Sequence, residues 1–268
     1  MTTTLNAVVT HLDAGAVDGV LTYLRATCPR SRFVVCHGGR REEFERIAHA
    51  EKLFIEDPSL RGAPISFQSY HEILGELYRR LVERDPDVDS LYVIEYDHVI
   101  LRPDFEERLR EVATATCADF MGKNCVVRNA TNWTHYVRFR GDERLGAHLR
   151  AVSVREDATR MFGCLGDGFW LNRAALEAYV SVQGHPPCYG ELYVPTLLHH
   201  LGFHLVDLDA HSELYRDVRW HPTFDLEQVL RIKRRGGSFV HPFKDTGALP
   251  RIDQAPGSPS CRPSKCPP

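Results

Sequence analysis

Three apolar runs, each followed by a helical stripe, precede residue 90 and constrain the fold more than any other feature of the chain. Residues 5–10 (Leu-Asn-Ala-Val-Val-Thr) read as a buried strand, and Val17, Val20, Leu21 and Leu24 follow at helical spacing. Residues 32–36 form a second strand stopped by His37-Gly-Gly39, and Phe44, Ile47 and Ala48 share one face of a helix expected over 42–50. Residues 52–56 are a third strand, broken by Asp57-Pro58. Tyr70, Ile73, Leu74, Leu77 and Leu81 then mark a longer helix that Asp85-Pro86 ends. This alternation predicts an α/β protein with a parallel sheet and helices on both faces. Right-handed crossovers put the C-terminal ends of such strands on one edge, and ligands of open α/β sheets bind beyond it.

The fourth apolar run, Leu91-Tyr-Val-Ile94, carries Glu95 and Asp97 at its end. Residues i and i+2 of an extended backbone point the same way, so both carboxylates reach one place beyond the sheet. Two acids there repel unless a cation lies between them. A hard divalent ion with oxygen ligands relieves the repulsion and also holds phosphate. A metal–diphosphate site is therefore expected at Glu95-Tyr-Asp97. The loops at 11–15 and 57–65 fall on the same edge.

At 268 residues the chain has room for one large α/β domain or two small ones. A net charge of −3 offers no basic excess for nucleic acid. The opening Met-Thr-Thr-Thr-Leu-Asn lacks the basic and apolar regions of a secretion signal, and no apolar run approaches the roughly 18–20 residues that span a bilayer. A soluble, cytoplasmic protein is expected, its scattered cysteines buried as free thiols.

Past Pro103 the rhythm changes. A short helix is expected at 104–112 and a strand at 118–127. The polar run 128–158, rich in Asn, His, Trp and Arg, reads as an irregular surface insertion. A Gly-rich segment, 162–171, leads into a helix at 173–180. A second helix, 195–201, has Pro in its first turn and Gly202 just past its end. A last core strand (203–208), a helix (225–234) and the run 238–244 complete the folded part. From 246 to 268 the Pro, Gly and Ser content predicts a disordered tail.

In this order the parts resemble the GT-A class of nucleotide-sugar glycosyltransferases. Glu95-Tyr-Asp97 looks like the Asp-x-Asp motif of that class, with Glu where the motif has its first Asp. Gly166-Asp-Gly-Phe-Trp-Leu-Asn-Arg173 is similar to the Gly-rich segment that lines the donor and acceptor pocket. Tyr189-Gly-Glu-Leu-Tyr-Val-Pro195 is similar to the acidic motif that faces the acceptor. His241-Pro-Phe-Lys244 resembles the stretch whose His completes metal coordination. The resemblance covers residues 5–245. It implies a GT-A-like (Rossmann-like), mostly parallel central sheet flanked by helices, with a smaller mixed C-terminal part. It also implies one catalytic domain over 1–245, with a nucleotide-binding half at 1–103 and an acceptor-side half at 104–245. The activity implied is metal-dependent transfer of a sugar from a nucleoside diphosphate, most simply UDP, to a small-molecule or glycan acceptor.

Cleaving a sugar–diphosphate bond leaves negative charge on the departing phosphate, which a divalent ion and positive side chains stabilise. Under this resemblance Asp97 binds the metal, and Glu95 reaches it through water or holds ribose hydroxyls. His241 adds a neutral nitrogen, which suits Mn²⁺ better than Mg²⁺, and Lys244 sets a point charge on the diphosphate. Thr10, His11 and Asp13, with Arg61 and Gln68 from a later loop, are expected near ribose and base. If the anomeric centre inverts, the acceptor hydroxyl needs a general base, for which Glu191 is the first candidate and Asp167 the second. Two rival readings stand beside this one. A nucleotidyltransferase on a similar sheet favours a basic, Gly-rich loop after the first strand, where this chain has His11-Leu-Asp-Ala-Gly15. A catalytically silent sugar- or nucleotide-binding protein would have little use for Glu95, Asp97, Glu191, His241 and Lys244 together.

Overall fold

A computed structural model describes residues 3–55, 70–166 and 168–255. Its first half follows the alternation read from the sequence. β1 (Thr3–Thr10), α1 (Ala14–Thr27), β2 (Arg32–His37), α2 (Arg41–Arg46) and β3 (Lys52–Phe54) come first. After α3 (His71–Leu77), a π-helical turn at Tyr78–Val82 carries the chain to β4 (Val88–Glu95). The four strands are parallel neighbours, with Val8 opposite both Val35 and Ile94. Their C-terminal ends therefore share one edge.

The second half is more mixed. It runs through β5 (Val99–Ile100), α4 (Phe105–Thr116), β6 (Phe120–Gly122), β7 (Val126–Val127), α5 (Thr134–Phe139), α6 (Glu143–Val152) and β8 (Phe162–Gly163). Then come β9 (Phe169–Asn172), α7 (Arg173–Ser181), α8 (Gly190–His200), β10 (Leu205–Asp207), α9 (Leu208–His211), β11 (Asp217–Val218), α10 (Leu226–Arg234), β12 (Phe239–His241) and α11 (Leu249–Gln254). The central sheet has the order β10-β6-β9-β4-β1-β2-β3. Within it β9 runs antiparallel to both β4 and β6, and the other pairs are parallel. A small sheet β11-β12-β5 and the pair β7-β8 stand apart from it.

The two-residue period of the strands sorts their side chains into two cores. Leu5, Ala7, Val9, Leu91 and Val93 face one side, under α3, α5, α6, α7 and α8. Val8, Tyr92 and Ile94 face the other, where α1, α4, α10 and α11 pack. Fully burying each such Val, Leu or Ile contributes about 1.5–3 kcal/mol. No helix among the described residues is long and apolar enough to cross a membrane. Cys28, Cys36, Cys125 and Cys188 are buried free thiols, and Cys117 is an exposed one.

Several expectations need correction. The helix expected over 42–50 stops at Arg46, where the Lys52 ammonium gathers the carbonyls of Phe44, Glu45 and Ile47 and closes the helix end. The strand expected over 118–127 is split into β6 and β7, with Asn124 between them in the left-handed region at φ 52°. The run 128–158 is not irregular. It holds α5 and α6, which bury Tyr136, Phe139, Leu145 and Leu149, and Asp142 caps α6 by accepting from the Leu145 N–H. The helix expected from Pro195 starts at Gly190 and takes the proline into its interior. Finally, the tail expected from 246 is folded as far as 255: a 3-10 turn (Thr246–Ala248) and α11 bury Ala248, Leu249 and Ile252. Residues 256–268 lie outside the described residues.

Candidate active site

A cavity of about 350 Å³ opens where β4 ends. Glu95 and Asp97 form its floor, and the end of β12 supplies His241, Pro242 and Lys244. Tyr189, Gly190 and Glu191 enter from the start of α8, Tyr70 from the residue before α3, and His135 from α5. Trp220, His221 and Thr223 close the remaining side. The candidates Glu95, Asp97, Glu191, His241 and Lys244 thus meet in one place, although they come from three distant parts of the chain.

Asp97 is fully buried. Its Oδ2 contacts the Lys244 ammonium and lies 3.4 Å from His241 Nε2, and its backbone carbonyl accepts from the Phe243 N–H at 3.0 Å. Its Oδ1 has no hydrogen-bond partner among the described residues. Burial pushes this carboxyl up. The contacts with His241 and Lys244 outweigh it and hold Asp97 well below the usual carboxylate range. Glu95 moves the other way. Burial first, and then the Asp97 charge, raise it to about 7, so the pair divides into a firm anion and a carboxyl that readily keeps a proton. Tyr70 Oη donates to Glu95 Oε1 at 3.3 Å. Behind the pair, burial and the neighbouring His241 depress His98 to about 3, which leaves it neutral. Its ring stacks on His241 with centroids 4.4 Å apart.

Glu191 is held by two donors. The Gly166 N–H reaches Oε1 at 2.8 Å, and His135 Nε2 lies 2.8 Å from Oε2. The proline inside α8 helps to set this arrangement. Pro195 has no N–H to give the Glu191 carbonyl one turn back, and the Cys164 N–H takes that place at 3.0 Å. The helix start is thereby tied to the Gly-rich segment instead of being broken. A Cβ at position 166 would lie 2.5 Å from Glu191 Oε1, so any other residue there must push the carboxylate aside. Gly166→Ala is expected to displace the carboxylate and, for the transferase activity proposed below, to lower turnover about a hundredfold, the usual scale for a misplacement of about 1 Å. The melting temperature should change little, since the residue sits at the cavity wall. Turnover equal to wild type would remove Glu191 from the chemistry.

The residues expected around ribose and base divide. Thr10 and Asp13 serve the backbone: Thr10 Oγ1 accepts from the Leu12 N–H at 3.2 Å, and Asp13 caps α1 by accepting from the Ala16 N–H at 2.9 Å. Neither lines the cavity. His11 stands at its flank, edge-on to Tyr96 at 5.3 Å, and Tyr96 Oη accepts from Lys244 Nζ at 3.3 Å. Arg61, Gln68 and Asp167 lie outside the described residues. Tyr189 lines the cavity as an aromatic wall, whereas Trp170 is packed in the core between β4 and β6. His200 is a packing residue, bound to Ser153 Oγ and the Arg160 carbonyl. Tyr70 enters the sequence reading only as part of a helical stripe, and His135, Trp220, His221 and Thr223 do not enter it as site residues. His135 sits in the polar run 128–158 with no spacing to mark it. Trp220, 64% exposed, follows a two-residue strand too short to read.

The donor chemistry suits a hard divalent cation, with two carboxylates, an imidazole and the buried Oδ1 of Asp97, which has no partner among the described residues. As arranged, however, no three His, Cys, Asp or Glu side chains among the described residues are gathered around one point. The cation in contact with Asp97 is Lys244. No protein-family model matches this sequence, and no curated protein matches it.

Proposed function

We propose that this chain is a nucleotide-sugar glycosyltransferase with a GT-A-like fold, transferring a sugar from a nucleoside diphosphate, most simply UDP, to a hydroxyl acceptor. One observation carries this reading. Two acids, a histidine, a lysine and a separately held glutamate converge on one cavity at the C-terminal edge of a mostly parallel sheet. That edge is where such sheets bind nucleotides. Lys244 supplies positive charge for the departing diphosphate. Glu191, fixed by Gly166 and His135, faces the same space as a base for the acceptor hydroxyl. The rings of Tyr70, Tyr189 and Trp220 give the cavity apolar walls that suit a sugar face and exclude water. A divalent ion held by Asp97 with Glu95 and His241 would add charge on the diphosphate.

Melting the protein with nucleoside mono-, di- and triphosphates and with nucleotide sugars, with and without Mn²⁺, tests this reading. A hundredfold excess over Kd stabilises by about 2.7 kcal/mol, a shift of several degrees in a chain of this size. The expected result is metal-dependent stabilisation by one nucleoside diphosphate and its sugar. Preference for a triphosphate would favour a nucleotidyltransferase. Stabilisation without release of nucleoside diphosphate in the presence of acceptors would favour a silent binding protein.

A further inference from the structure

Two nitrogen-bearing side chains, His241 and Lys244, approach the buried carboxylate of Asp97, and they differ in freedom. His241 is part of β12, 7% exposed, and its ring is stacked on His98. Lys244 lies three residues past that strand with a side chain 53% exposed, and its ammonium stands between Asp97 Oδ2 and the Tyr96 hydroxyl. We propose that Lys244 is a tethered counter-ion that keeps a divalent cation off Asp97 until a diphosphate draws the ammonium away. Metal and diphosphate then bind as a pair. This inference rests on the transferase reading above.

A buried carboxylate is costly without a compensating charge, and Lys244 provides it while the cavity holds no ligand. The same contact occupies Oδ2, so an arriving divalent ion meets Oδ1 alone with a positive charge beside it. Exchange is possible because the lysine is flexible, strongly hydrated and half in solvent. The ammonium stays on Asp97 Oδ2 and the Tyr96 hydroxyl until a stronger anion competes for it. A diphosphate is such an anion. Its arrival uncovers Oδ2, so diphosphate binding raises metal affinity, and by linkage metal raises diphosphate affinity by the same factor.

The test is Mn²⁺ binding alone, followed by the electron paramagnetic resonance signal of the free ion. It compares the full wild-type chain with Lys244→Met, Lys244→Arg, Asp97→Asn and the double variant Asp97→Asn/Lys244→Met. Removing the ammonium is expected to tighten Mn²⁺ binding about tenfold, within the usual range of site coupling. Lys244→Arg, which keeps the charge, should track wild type, and the double variant should lose the gain. If Lys244→Met binds no more tightly than wild type while Asp97→Asn still abolishes binding, the counter-ion role is wrong and the Asp97 metal site stands. If Mn²⁺ binding ignores Asp97, or no variant binds, the metal site fails and the counter-ion role falls with it. Melting curves of Lys244→Met, altered at a half-exposed side chain, confirm that each comparison is made on folded protein.

Discussion

Under the transferase reading proposed above, Asp97→Asn is expected to reduce turnover of the nucleotide sugar at least a hundredfold, the scale seen when one preorganised electrostatic group is removed from a reaction centre. The substitution preserves shape and removes one negative charge. That charge is the only firm anion of the acidic pair, because Glu95 is raised to about 7 and is partly protonated near neutral pH. Without it Lys244 loses the charge that fixes its position, and His241 faces a neutral amide in place of a carboxylate. The fold should survive. Lys244 can return to solvent, His241 can stay neutral, and the Asp97 backbone carbonyl that receives the Phe243 N–H is untouched. The readout is therefore a pair: nucleoside diphosphate released per enzyme, and melting temperature without ligand. A large fall in the first with a small change in the second is the expected outcome. Wild-type turnover in Asp97→Asn would end the assignment of Asp97 to the reaction.

The parallel half of the fold could be read because its signals are local. Each apolar run there is bounded by Gly, Pro or Asp within a few residues, and each crossover helix shows its stripe between two strands. The acidic pair stands at the end of the fourth strand and on one cavity as read, but not through the i, i+2 geometry of an extended backbone: β4 ends at Glu95, and Asp97 lies in a turn closed by the His98 N–H on the Glu95 carbonyl at 3.1 Å. Elsewhere the decisive contacts are distant. β9 is four residues long, and its antiparallel placement between β4 and β6 depends on partners 50–80 positions away in sequence. Proline misled at α8, because the usual argument places it in a first turn. Here the carbonyl it leaves open is taken by the Cys164 N–H from another part of the fold. His135 reaches Glu191 only because α5 packs beside α8, and nothing in a polar run predicts that neighbour.

Deleting residues 247–268 is expected to lower the melting temperature strongly. Composition alone argues that nothing past Thr246 matters. The structure contradicts that for the first part of the segment. Leu249 and Ile252 stand three apart on α11, one helical face, and both are buried in the core shared with α1 and α10. Lys233 reaches from α10 to donate to the Ile252 and Asp253 carbonyls, closing the helix at its C-terminal end. Loss of the segment would uncover the apolar face of α1, which lies directly behind β1. A single substitution isolates the packing term: Ile252→Ala should cost about 2–5 kcal/mol, or roughly 4–20 °C in a chain of this size. No residue of α11 lines the cavity, so the nucleotide-dependent stabilisation expected under the proposed function should persist in Ile252→Ala at temperatures where it remains folded. An unchanged melting temperature on removal of 247–268 would show that α11 contributes nothing to the core it covers.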